Sequence, residues 1–184
     1  MTLNEMDRKV LSLIEELNPN SEYLTDDPDI QAKKRYVTNQ IMYELARIKK
    51  IPKYCEIEVS KGDIIEFADI EKECGYEVFQ ISLVCGVNYI PKASGTVLKI
   101  LEDGTAEIDV FVYPERITDT TKGTYEFELS ADALEIMPYG IAADLLKSDI
   151  SAEYGSVYGT RYESMKQLLD PRYAMPSIYI EGGI

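Results

Sequence analysis

A chain of 184 residues, 45% hydrophobic and 28% charged, has the size and make-up of one folded domain, or of one core with an inserted part. Its 33 acidic against 19 basic residues give a net charge of −14, which repels nucleic-acid phosphates instead of gripping them. There is no His and no Trp, which excludes imidazole bases, Ser-His or Cys-His nucleophile pairs and imidazole metal ligands.

The N-terminal Leu3, Met6, Val10, Leu13 and Leu17 recur at three- and four-residue steps, so a helix is expected over 4–17, stopped by Asn18-Pro19-Asn20-Ser21. A second helix is expected over 28–50. Asp26 or Asp27 caps it, Pro28 takes the first helical position, and Asp29 meets the positive end of the dipole. Ile30, Lys34, Val37, Ile41, Leu45 and Ile48 trace its mostly apolar stripe, and Arg47, Lys49 and Lys50 close it before Pro52.

From Tyr54 the period changes to two. Tyr54–Val59, Tyr76–Leu83, Thr96–Leu101, Thr105–Tyr113 and Tyr125–Leu129 alternate as short strands, a β module over about 54–129. Glu102-Asp103-Gly104 carries a hairpin signal between the third and fourth of these. Asp63, Glu66, Asp69, Glu71 and Glu73 recur among apolar residues and read as a solvated acidic face. Helical spacing returns over 131–147, with Pro138 predicting a kink or a restart, and over 151–169. The last helix carries Tyr154, Tyr158 and Tyr162 at four-residue steps, with Gly155 and Gly159 permitting close backbone approach. Residues 171–184 hold two prolines and two glycines and read as an extended but apolar tail.

The fold class is α+β. Helices from the two ends form a helical bundle over 1–170, a mainly antiparallel β module is inserted between them, and an extended C-terminal tail follows. Cys55, Cys74 and Cys85 form no CxxC pair and suit a reducing compartment, so no cofactor, metal or disulfide is expected. No run reaches the ~18 apolar residues of a membrane span. No signal peptide opens the chain, so the setting is the inside of a cell, or a particle assembled there.

The stretch Val110–Asp119, in which a strand ends in Tyr113-Pro114 and leads through a loop to a helix pair, resembles the head–tail connector (portal adaptor) proteins of tailed bacteriophages. Ala142–Asp149 is similar to that family's small-residue helix running into an acidic break, and Tyr154, Tyr158 and Tyr162 resemble its Tyr-bearing last helix. The resemblance implies a non-enzymatic structural subunit of the virion neck, assembled in the bacterial host cytoplasm. It implies a dodecameric ring beneath the portal protein, contacts with neighbouring adaptor subunits and with the next tail or stopper protein, and DNA passing through without specific binding.

Three candidate surfaces accompany that reading. The tail, through Tyr173, Met175, Ile178, Tyr179 and Ile180, is expected to dock on portal by strand addition. The alternative is that it folds back on its own core. Tyr154, Tyr158 and Tyr162 are expected either to meet a neighbouring subunit or to pack on the preceding helix. The loop Glu115–Thr124, with Arg116, Thr118 and Thr120, is either a contact loop or a solvent connection. A rival reading of the same charge is an acidic DNA mimic that occupies a nucleic-acid-binding protein. A carboxylate-pair glycosidase is a third and weaker reading.

Overall fold

Thr2 starts the first helix because its hydroxyl accepts from the Glu5 N–H at 3.3 Å while the Glu5 carboxylate accepts from the Thr2 N–H at 2.8 Å. This reciprocal cap satisfies two amide donors that a helix start leaves open. The Thr2 backbone bond, foremost, holds the Glu5 carboxyl below its ordinary range. In this computed structural model, which describes residues 1–148 and 152–169, α1 spans Leu3–Leu13, shorter than its expected 4–17. Just beyond it, Glu15 takes a left-handed backbone, φ 62°. The α2 helix spans Pro28–Ile48 and begins as its sequence dictates. Asp27 Oδ1 accepts from the Asp29 and Ile30 N–H groups at 2.8 and 3.2 Å.

The fold is α+β, with five helices and two small antiparallel sheets among the described residues. The chain divides into two compact units. Met42–Ile117 forms one. The other joins Met1–Ile41 to the chain from Thr118 onward, so the strand-rich unit is an insertion within the helical one.

The inserted unit holds β1 (Ile51–Val59), β2 (Ile64–Glu66), α3 (Phe67–Cys74), β3 (Val78–Cys85), β4 (Tyr89–Lys92), β5 (Val97–Ile100) and β6 (Gly104–Val112). One sheet has the order β1-β6-β3 and the other β2-β5-β4. The expected hairpin at Glu102-Asp103-Gly104 is absent, because β5 and β6 lie in different sheets. The turn-like composition instead marks a corner. Backbone bonding continues around it, since Gly62 N–H donates to Ile100 O at 3.0 Å and Ile100 N–H to Asp63 O at 2.9 Å. Gly86, between β3 and β4, turns a second corner. Its φ is +82°, and a Cβ there would lie 2.3 Å from the Thr105 carbonyl oxygen. Only glycine fits both demands.

The period-two reading of the central strand holds. Ala106, Ile108, Val110 and Val112 are buried while Glu107 and Asp109 are exposed. Cys55 lies on the buried side of β1, and burial pushes its thiol up from the ordinary value. The residues read as one acidic face mostly serve the backbone locally. Asp63 accepts from Ser60 N–H at 2.8 Å, Asp69 from Glu66 N–H at 2.9 Å, and Glu71 from Val78 N–H at 2.9 Å. Glu66 and Asp69 together form the capping box of α3, and Gly75 ends that helix in a left-handed conformation.

In the helical unit, α4 spans Ala131–Leu145 and α5 spans Ala152–Leu169. The first half of α2 also belongs to it. Pro138 neither stops nor restarts α4. This helix is apolar nearly all round and buries Leu134, Ile136, Met137, Ile141 and Leu145, as a central helix must. Full burial of a side chain such as Ile141 contributes about 1.5–3 kcal/mol. The expected strand Tyr125–Leu129 is reduced to one isolated bridge, Thr2 to Glu126. Phe127 and Leu129 are buried between exposed Glu126 and Glu128, so the alternation is real. Among the described residues its backbone partner is the short N-terminal run, with Leu3 N–H bonded to Tyr125 O at 2.8 Å and Asn4 N–H to Gly123 O at 2.9 Å. That run turns into α1 before a ladder can form.

Lys34, the one cation on the apolar stripe of α2, is explained by Asp7. Its Nζ lies 2.9 Å from Asp7 Oδ2, with both side chains 5% exposed. Arg35 adds a second, longer contact at 3.5 Å. The pair fixes how α1 meets α2 inside this unit.

Candidate interaction surfaces

The three α5 tyrosines are not equivalent. Tyr154 is 67% exposed and Tyr162 3%, while Tyr158 lies between, its hydroxyl donating to Leu13 O at 2.7 Å. The helix itself makes this gradient. Four residues advance about 400°, so each step turns the next tyrosine about 40° further round. The row begins in solvent and ends in the core. Tyr162 fills the space over Gly140, where a Cβ would stand 2.9 Å from its ring. Gly155 gives α5 its close approach to the end of α4, since a Cβ there would be 3.1 Å from Leu146 Cβ and 3.3 Å from Ala143 O. Tyr158 and Tyr162 therefore pack within their own unit. The outward stripe of α5 is instead Tyr154, Val157 and Leu168, all exposed. Helical spacing already sets Val157 and Leu168, with Met165, on a stripe adjoining the tyrosine repeat.

In the loop, Arg116, Thr118 and Thr120 are all exposed. Thr118 is held by its own neighbours, its N–H donating to Thr121 Oγ1 at 2.9 Å and its hydroxyl 2.9 Å from that of Thr120. Arg116 belongs to the strand-rich unit and the two threonines to the helical one. The tail residues Tyr173, Met175, Ile178, Tyr179 and Ile180 lie outside the described residues.

Each sheet of the inserted unit has an exposed face that periodicity alone did not single out. In the first sheet, Tyr54, Asp109 and Leu83 stand opposite one another across β1, β6 and β3, followed by Glu56, Glu107 and Cys85. Tyr54, Leu83 and Cys85 are exposed. The Tyr54 hydroxyl donates to Glu56 at 2.6 Å, and that bond, with the surrounding carboxylates, pushes its pKa up to about 12. In the second sheet, Ile64, Lys99 and Ile90 form the matching row, followed by Glu66, Val97 and Lys92. These rows depend on the register, which pairs residues as distant in sequence as Tyr54 and Asp109.

Three concavities lie among the described residues of the helical unit, the smallest, of about 140 Å³, beside Tyr154 and Tyr158. One, of about 480 Å³, is lined by Asn4, Asp7, Gln31, Lys34 and Arg35 among others. Asp7, Lys34 and Arg35 are engaged with one another there, and Glu22 and Asp119 also line it. Another, of about 470 Å³, is an open groove along Arg8, Leu13, Leu17, Pro138 and Tyr139. Among the described residues, no buried side-chain polar atom lacks a hydrogen-bond partner, and no set of three Cys, Asp or Glu is placed to hold a metal ion. No helix among the described residues is long and apolar enough to cross a membrane.

No protein-family model matches the sequence, and no curated protein matches it.

Proposed function

We propose that this chain is a non-enzymatic adaptor subunit of a tailed bacteriophage. It forms a ring, dodecameric by the family resemblance, beneath the portal protein, joining head to tail and extending the DNA channel. The terminal helices act as a bundle that carries the inserted strand unit. The observation that carries the reading is the outward stripe of α5. Tyr154, Val157 and Leu168 leave the last helix with large apolar side chains in solvent just before the apolar sequence 171–184. Scattered exposed apolar residues need no explanation, but three on one side of a helix, parted by Arg161 and Ser164 and followed in sequence by an apolar stretch, suit a surface that is covered on assembly. The net charge of −14 fits a channel wall along which DNA slides without adhering.

Co-sedimentation with purified portal rings tests this. The intact chain is expected to bind, and a chain ending at residue 170 is expected to stay folded and to lose binding. A truncated chain that binds as well as the intact one overturns the docking role of the tail. An intact chain that binds no portal overturns the adaptor reading.

The acidic rows of the first sheet favour one other reading. Glu56, Glu58, Glu107 and Asp109 project from adjacent strands, a patterned set of carboxylates of the sort a DNA mimic presents. Capture of a DNA-binding enzyme, competed by duplex DNA, selects this reading over the adaptor.

A further inference from the structure

The two exposed sheet faces share one layout with opposite charge. In the first sheet, the central-strand residue is Asp109, flanked across the register by Tyr54 and Leu83. In the second, it is Lys99, flanked by Ile64 and Ile90. Ile64 is 59% and Leu83 53% exposed, fractions typical of a surface left open, not of a sheet packed on a core. Neither Asp109 nor Lys99 makes an ion pair among the described residues. Each row is therefore a charge on a central strand between two large side chains, with no ion-pair partner among the described residues.

From this layout we infer that the two faces pair with each other between copies of this chain, the Asp109 row of one copy meeting the Lys99 row of the next. Burial of Tyr54 and Leu83 against Ile64 and Ile90 removes apolar surface from water, and the surrounding side chains exclude solvent from the Asp109–Lys99 pair. In the next row of the first sheet Glu56 and Glu107 stand opposite each other as like charges, an arrangement that disfavours the isolated sheet. The next row of the second sheet holds both Lys92 and Glu66, and the Glu66 carboxylate is engaged in the cap of α3. Self-pairing of the first face would set Asp109 against its own acidic rows. Pairing of the first face with the second instead sets Asp109 against Lys99.

This deepens the ring reading by naming the surfaces through which subunits meet, and it rests on that reading only for the existence of self-assembly. The test uses the full chain alone, by sedimentation across a concentration series, with Asp109→Lys and Lys99→Asp. Both positions face solvent, and unchanged circular dichroism establishes that each variant is folded. The wild type is expected to self-associate, and each variant alone to associate at least about tenfold more weakly, because like charges then meet. An equimolar mixture of the two variants is expected to recover the wild-type constant, since the two lysines of one meet the two aspartates of the other. Cys85, exposed beside Glu107, reports independently. Its alkylation, mapped by mass, should slow as the wild type and the mixture associate.

A wild type that stays monomeric at every concentration overturns the inference. So does a single variant that associates normally, or a mixture that fails to recover. Failure of portal binding is a separate outcome that strikes the adaptor reading and leaves this measurement standing.

Discussion

Two sets of carboxylates separate the units of this chain. In the helical unit, Asp7 is withdrawn from water and held against Lys34, with Arg35 beside it. In the strand-rich unit, Glu56 and Glu107 stand opposite each other at the surface, and neither makes an ion pair among the described residues. The first arrangement uses charge to fix how elements meet inside one molecule. The second leaves charge at the surface, where among the described residues no cation pairs with it. A buried pair is weak evidence of net stability but strong evidence of a fixed geometry, because removal of either member strands the other.

That contrast makes the largest expected effect Asp7→Ala. Lys34 would remain buried without its counter-ion, and urea unfolding is expected to show a loss of about 3–5 kcal/mol. Gly86→Ala follows. The left-handed backbone alone costs about 1–3 kcal/mol, and the Thr105 carbonyl must also shift. Because that corner carries the chain from one sheet to the other, the variant is expected to weaken hydrogen-exchange protection in β3 and β4 before α4 and α5. Glu107→Thr has the opposite sign. It relieves the like-charge pair, and a gain of about 0.2–1 kcal/mol is expected in the same urea assay. The smallest effect is spectroscopic. Tyr54 is expected to deprotonate at about 12, read as the ultraviolet titration difference between the wild type and Tyr54→Phe. The bond from its neutral hydroxyl to Glu56 is present throughout the lower pH range and is lost as pH rises through that value. Glu56→Gln should move the transition down toward the ordinary tyrosine range.

Local chemistry was legible in the sequence wherever a few adjacent residues decide the outcome. The α2 start is an example, since Asp27, Pro28 and Asp29 are contiguous and act on their own backbone. The alternation in β6 is another. The cap Thr2-x-x-Glu5 and the α3 signature Glu66-x-x-Asp69 with Gly75 are equally local, and the α3 carboxylates both face solvent and cap their own backbone. What was not legible depended on partners distant in the chain. Glu102-Asp103-Gly104 has the composition of a turn, and only the pairing of β5 with β2 and β4 reveals a corner. The apolar–charge–apolar rows exist only once three separated strands are in register. Tyr162 and Tyr154 look alike in the repeat and differ because the helix turns between them.

The lengths of the strand pairings carry a mechanical consequence. β1 and β6 run antiparallel over nine residue pairs, so tension applied along them loads many backbone hydrogen bonds together, in shear. The β4–β5 hairpin has four pairs and a tight connection, so the same tension opens it one rung at a time, like a zip. Under such tension the long pairing is the part of this unit suited to bear force, and the short hairpin is the part that yields first.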